Sequence, residues 1–154
     1  MRRAGGGLGV AMTESAGEKL KTWRADVKDA ASRALEAFPQ WNPEPKQPFL
    51  VELAFFLPRP KSHFGTGRNA HLIKASAPAL PTTKPDIDKL ERSTLDALKT
   101  AGIFGDDAQV VRVIKDKLYA DGRLPGATIR LVALPITRAE AATPHAALAL
   151  AEAS

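Results

Sequence analysis

The chain has 154 residues, 44% hydrophobic and 25% charged, which suits one compact domain that buries most of its apolar surface. The absence of cysteine excludes a disulfide framework, a thiolate nucleophile and a Cys-based zinc site, and His63, His71 and His145 fall in a loop and a tail, against a His-rich metal centre. Lys and Arg outnumber Asp and Glu by 22 to 17, and the resulting net charge of +5 favours a polyanionic partner.

In chain order, residues 1–12 (MRRAGGGLGVAM) are glycine-rich, which interrupts any apolar signal-peptide core, and a flexible segment is expected there. The longest apolar run, FLVELAFFLP, contains Glu52 and is too short to span a bilayer, so a cytoplasmic protein with no membrane partner is expected. From Glu14 to about Phe38, Leu20, Trp23, Val27, Ala30, Ala31, Ala34 and Leu35 recur at helical spacing. Thr13 or Ser15 would cap this helix and Pro39 would stop it. Trp23 and Trp41 read as packing residues. After a proline-punctuated connector, residues 49–57 (FLVELAFFL) read as a strand buried on at least one face.

Residues 58–85 then show little regular pattern, and structureless segments of that length are usually functional loops or disordered ones. Arg59, Lys61, Arg68, Lys74 and Lys84 lie here with no acidic residue, a composition suited to a phosphate backbone, although a solvated loop reads equally well. The GTGRN stretch has too few glycines and no following helix for a nucleotide-binding loop, and reads as a flexible turn carrying Arg68. A second helix follows, with Ile87, Leu90, Thr94, Ala97, Leu98 and Ala101 on one stripe and Gly102 closing it. Residues 108–120 and 127–134 read as strands joined by the turn DGRLPG, most simply as an antiparallel hairpin, with Tyr119 structural. Residues 138–154 are an alanine-rich tail or frayed helix. The expected fold is α/β (α+β), a single domain over 13–137 with a mixed β-sheet packed against two main helices.

The acidic residues of KPDIDKLERSTLDAL and GIFGDDAQVV admit two readings. In the first, Asp88 and Glu91 form a helix capping box and Asp106–Asp107 make a turn. In the second, Pro85 delays the helix, an extended Asp86–Asp88 points both carboxylates to one side, and the chain returns through Asp106–Asp107 after about 20 Å of helix. If the following strand lies beside the approach to Asp86, three or four carboxylates meet. Their mutual repulsion would be relieved by a hard divalent cation such as Mg²⁺ or Mn²⁺.

At these residues the chain resembles the RusA family of Holliday junction resolvases. KPDIDKLERSTLDAL, then GIFGDDAQVV and the basic strand RVIKDK, are similar to that family's D-x-D-N-L, D-A-L and D-D-x-Q-V segments in order and separation. The shared block covers about residues 49–133. The resemblance implies a homodimeric, Mg²⁺-dependent endonuclease that nicks four-way DNA junctions in symmetrically placed strands. It implies Asp86, Asp88 and Asp107 as the metal-holding catalytic carboxylates, with Asp106 a supporting ligand or turn residue. Arg92, four residues after Asp88, would lie over it on the helix and orient a ligand or meet a phosphate. Arg59, Lys61, Arg68, Lys74, Lys84 and Lys89 are the expected DNA contacts. The family's usual asparagine after the second aspartate is Lys89 here, and its opening strand has little counterpart in the N-terminal segment. A non-catalytic binder of branched DNA, or a nuclease acting on flaps or forks, are the alternatives.

Overall fold

The computed structural model describes residues 8–12 and 20–142. They form β1 (Leu8–Met12), α1 (Leu20–Ala37), β2 (Phe49–Leu57), α2 (Ile87–Thr100), β3 (Val110–Tyr119), β4 (Gly126–Ala133) and the short α3 (Arg138–Ala141). The four strands make one mixed sheet in the order β1-β4-β2-β3, and the single α+β domain expected from the sequence is present.

The sheet is organised by β2, whose residues are apolar except Glu52. Phe49, Leu50, Val51, Leu53 and Phe55 are all buried, and a strand so apolar is best placed between two neighbours. It pairs parallel with β3 on one side and antiparallel with β4 on the other. The expected β3–β4 hairpin is therefore corrected. The two strands flank β2, and the six residues 120–125 carry the chain across its end. That span is short for an extended chain, which covers about 3.3 Å per residue, against a strand spacing of about 4.8 Å.

The N-terminal expectation is also corrected. Residues 8–12 form an edge strand paired antiparallel with β4, from Leu8 opposite Leu131 to Met12 opposite Ala127. Local composition hid this strand, because its hydrogen-bond partner is more than a hundred residues away in the sequence. Within the described residues α1 begins at Leu20, and the expected caps Thr13 and Ser15 lie outside them. Of the alanine-rich tail, residues 138–141 form α3, and 143–154 lie outside the described residues.

Both main helices pack on one face of the sheet. α1 buries Trp23, Val27, Ala30 and Ala31, and α2 buries Leu90, Thr94, Ala97 and Leu98, the spacing of one helical stripe each. They meet Val51, Leu53 and Phe55 of β2 and Ala127, Ile129 and Leu131 of β4. Trp23 packs edge-on against Phe55 with centroids 5.8 Å apart. Its indole N–H donates to the Thr94 hydroxyl at 3.0 Å, and that hydroxyl donates to the Leu90 carbonyl at 2.6 Å, so the buried Thr94 hydroxyl is satisfied. Trp41 stacks on Phe49 and donates to the Ile103 carbonyl at 2.9 Å, holding the connector against the chain that leaves α2. Gly102 closes α2 at φ +85°, a left-handed conformation that favours glycine. Replacing Leu98, which has 0% exposure at the centre of this core, by alanine is expected to lower unfolding stability by about 2–5 kcal/mol in a denaturant titration.

Candidate functional site

The parallel pairing of β2 and β3 decides where the acidic residues go. A parallel neighbour starts at the same edge of the sheet as β2, so the crossover must carry the chain back along the sheet before β3 begins. α2 performs that return. Asp86 and Asp88 open the helix and Asp106–Asp107 follow it, separated by 14 helical residues, or about 20 Å of rise. Lys99 in the last turn of α2 lies 3.6 Å from Asp106. At the other end Lys117, late in β3, donates to the carbonyls of Thr83 and Pro85 at 2.8 and 3.1 Å. β3 thus does pass the approach to Asp86, but with its last residues rather than with its start. The convergence of all these carboxylates within one chain does not occur: among the described residues no group of three or more His, Cys, Asp or Glu is placed to hold a metal ion.

Asp86 and Asp88 remain together at the N-terminal end of α2. Asp86 is extended (φ −71°, ψ 142°) and Ile87 is already helical, so the pair spans a helix start rather than a strand. Asp86 occupies the N-cap position, yet its side chain makes no cap hydrogen bond. Its carboxylate is exposed and lies 3.5 Å from the Lys89 ammonium. Asp88 sits in the first turn, and among the described residues no hydrogen bond or ion pair engages it or Arg92. The Asp88–Glu91 capping box is absent, because the N-cap position falls on Asp86 and Asp88 is already within the first turn; Glu91 is paired instead with Lys115 of β3.

The second acidic pair divides into two roles. Asp106 caps the 3-10 turn Asp107–Gln109, accepting from the Ala108 amide at 3.3 Å. Gln109 closes the motif by accepting from the amides of Gly105 and Asp106 at 2.8 and 3.0 Å. Asp106 is therefore committed to the turn. Asp107 is not: its Oδ1 is buried and, among the described residues, has no hydrogen-bond partner. A buried carboxylate oxygen without a donor is costly, and a hard cation or a donor from outside the chain would relieve it.

Of the expected DNA contacts, Lys61, Arg68, Lys74 and Lys84 are exposed on the 58–85 loop, although Lys74 also donates to the Ser62 carbonyl at 3.0 Å. That loop is ordered by two 3-10 turns, Lys61–His63 and Gly67–Asn69, and by a bridge between Phe64 and Ile73. Arg59 has a different role from the one expected. Its side chain is 6% exposed and bonds Asp121 through Nε and Nη2 at 2.6 and 2.9 Å. Nη1 donates to the Pro78 carbonyl at 2.7 Å, and the guanidinium lies 4.0 Å from the Tyr119 ring centroid. Arg59 is the pin that fastens both ends of the loop to the end of β3.

Sequence reasoning assigned Glu91 only a capping role and singled out neither Lys115 nor Lys117 within the basic strand RVIKDK. Lys115 and Lys117 lie opposite Leu53 and Phe55 of β2, so they share the helix-facing side of the sheet. The alternation in RVIKDK carries this signal, but only once the register with β2 is known.

The sequence model of the family described as Endodeoxyribonuclease RusA matches residues 2–132, from before β1 to near the end of β4. A search of the curated proteins returns no match.

The Arg59–Asp121 pair has a pH signature. The Arg59 hydrogen bonds hold the Asp121 carboxyl below its ordinary value, and Asp121 raises Arg59 in return. A carboxyl depressed in the folded state adds stability above its unfolded pKa of about 3.9, and that contribution is lost as pH falls through the folded value. Proteolysis of the 58–85 loop should accelerate as pH drops below about 4. Asp121→Asn should show the faster cleavage already at neutral pH and lose that acid-dependent rise.

Proposed function

Since this chain belongs to the endodeoxyribonuclease RusA family, we propose that it is a Mg²⁺-dependent homodimeric endonuclease that resolves four-way DNA junctions by nicking symmetrically placed strands. The observation that carries this reading is the Asp86–Asp88 pair, exposed and withheld from helix capping, in a setting rich in Lys and Arg. Carboxylate oxygens suit Mg²⁺ or Mn²⁺, and Mg²⁺ is commonly held by one or two carboxylates together with waters and substrate phosphates. A complete cage within one chain is therefore not required. A bound divalent cation supplies Lewis acidity at the scissile phosphate and an activated water.

The chain's own residues supply the rest. Asp86 and Asp88 hold the cation. Arg92, exposed one turn beyond Asp88, meets the phosphate and the charge that develops on it. Lys61, Arg68, Lys74 and Lys84 hold junction arms through their phosphates, so that selectivity comes from the shape of branched DNA rather than from base edges.

Asp107 enters through the twofold. One chain keeps it at the far end of α2, so a centre using all three carboxylates takes the partner's Asp107. β3 is an edge strand of the sheet, and Val111 at its start is 62% exposed. Antiparallel apposition of two such edges about a twofold axis brings the start of each β3 toward the end of the other. Asp86 and Asp88 lie at that end.

With a labelled synthetic four-way junction, the wild-type chain should give paired symmetric nicks only when Mg²⁺ is added. Asp88→Asn and Asp107→Asn should each bind the junction and fail to cut. When the two variants are mixed and allowed to exchange chains, the heterodimer should contain one intact centre and recover nicking on a single strand. If wild type nicks but the mixture stays inactive, the shared centre is excluded. If wild type binds without nicking, the endonuclease reading itself is excluded.

A further inference from the structure

Two lysines on the helix-facing side of a strand call for an explanation. At the positions opposite Leu53 and Phe55, where apolar side chains would extend the core, β3 carries Lys115 and Lys117. Lys115 pairs with Glu91 on the first turns of α2. Lys117 reaches the segment just before the helix and donates to the Thr83 and Pro85 carbonyls at 2.8 and 3.1 Å. The second of those carbonyls belongs to the residue that precedes Asp86.

Stability alone would not choose cations for this place. The N-terminal end of a helix already carries partial positive charge, and acidic groups rather than basic ones are favoured there. Around the start of α2, Lys84, Lys89, Arg92, Lys115 and Lys117 nevertheless outnumber Asp86, Asp88 and Glu91. Among the described residues only part of that charge is neutralised, by the Lys89–Asp86 and Lys115–Glu91 pairs. Lys117 is distinctive among them because its ammonium is bonded to backbone carbonyls rather than to a carboxylate. It fixes the chain that presents Asp86 without occupying an oxygen of Asp86 or Asp88.

We propose that Lys117 is the positioning residue of the candidate site: its two hydrogen bonds clamp the Thr83–Pro85 segment to β3 and set the placement of the Asp86 and Asp88 carboxylates for a divalent cation. The proposal rests on the metal-dependent reading of those two aspartates. It gives the sheet a direct hold on the site, since any shift of β3 against α2 displaces the backbone leading into Asp86.

The test compares Lys117→Met with Lys117→Arg in the full chain. Removing such an outer partner of a metal ligand commonly lowers affinity or activity by about 10–100-fold. Lys117→Met should weaken Mn²⁺ binding to the protein alone, read calorimetrically, by about tenfold or more, and slow junction cleavage in proportion. It should leave metal-free junction binding unchanged and speed amide hydrogen exchange in the peptide spanning residues 82–90. Lys117→Arg retains donors to both carbonyls and should restore most of the exchange protection and metal affinity. Should Lys117→Met not fold, Lys117→Gln, which keeps one amide donor, takes its place with an intermediate effect expected. Unchanged exchange and Mn²⁺ affinity in a folded Lys117→Met or Lys117→Gln overturns the proposal, as does equal loss in Lys117→Arg. Wild-type protein that binds Mn²⁺ but nicks no junction would refute the junction-resolvase reading while the exchange and metal comparisons still decide the role of Lys117. Wild-type protein that binds no Mn²⁺ would overturn the positioning role.

Discussion

The burial of β2 is the constraint on which the rest of the molecule depends. A strand of nine residues with one charge among them needs a partner on each edge and a helical layer on one face. The chain supplies β4 antiparallel on one side and β3 parallel on the other. An antiparallel neighbour can follow after a short turn, whereas a parallel one needs a long crossover. The 58–85 loop and α2 together are that crossover. The direction of α2 and the separation of the two acidic pairs both follow from that one parallel pairing.

The polar residues of the crossover then sort by whether the fold consumes them. Arg59 is held by Asp121, Pro78 and Tyr119, and Asp106 is held in its capping motif with Gln109. Thr94 is buried and fully engaged by Trp23 and Leu90. Asp88 and Arg92 are left out of such networks among the described residues, Asp86 caps nothing, and Asp107 keeps a buried oxygen without a donor. A helix start whose aspartates do not cap it forgoes a contribution of about 0.5–2 kcal/mol. That forgone stability is physically reasonable where the carboxylates serve an outside ligand, because a cap bond would compete for the same oxygens.

The sheet and the site are mechanically joined through the end of β3. Tyr119 supports the Arg59 guanidinium, Lys117 holds the chain before Asp86, and Lys115 holds Glu91. The basic loop and the acidic helix start are therefore fastened to the same few residues of one edge strand. For a protein that grips a phosphate backbone and acts on one of its bonds, a common anchor keeps the grip in register with the acids.

By itself the sequence determined the local elements and the chemistry on offer. Helical spacing from Trp23 to Leu35 and from Ile87 to Ala101, the apolar run 49–57, and Gly102 as a helix stop are properties of neighbouring residues, so they were legible. The ordered acidic segments also marked the family, since such motifs are local in the chain. Tertiary structure alone decided what depends on distant partners. β1 exists because β4 offers it an edge, β3 and β4 are parted because β2 takes the place between them, and the Arg59 side chain is covered because it is held by Asp121. The same holds for the site: spacing along the chain puts Asp88 and Asp107 a helix apart, and only the direction of β3 determines that the helix holds their ends apart within one chain instead of folding them together.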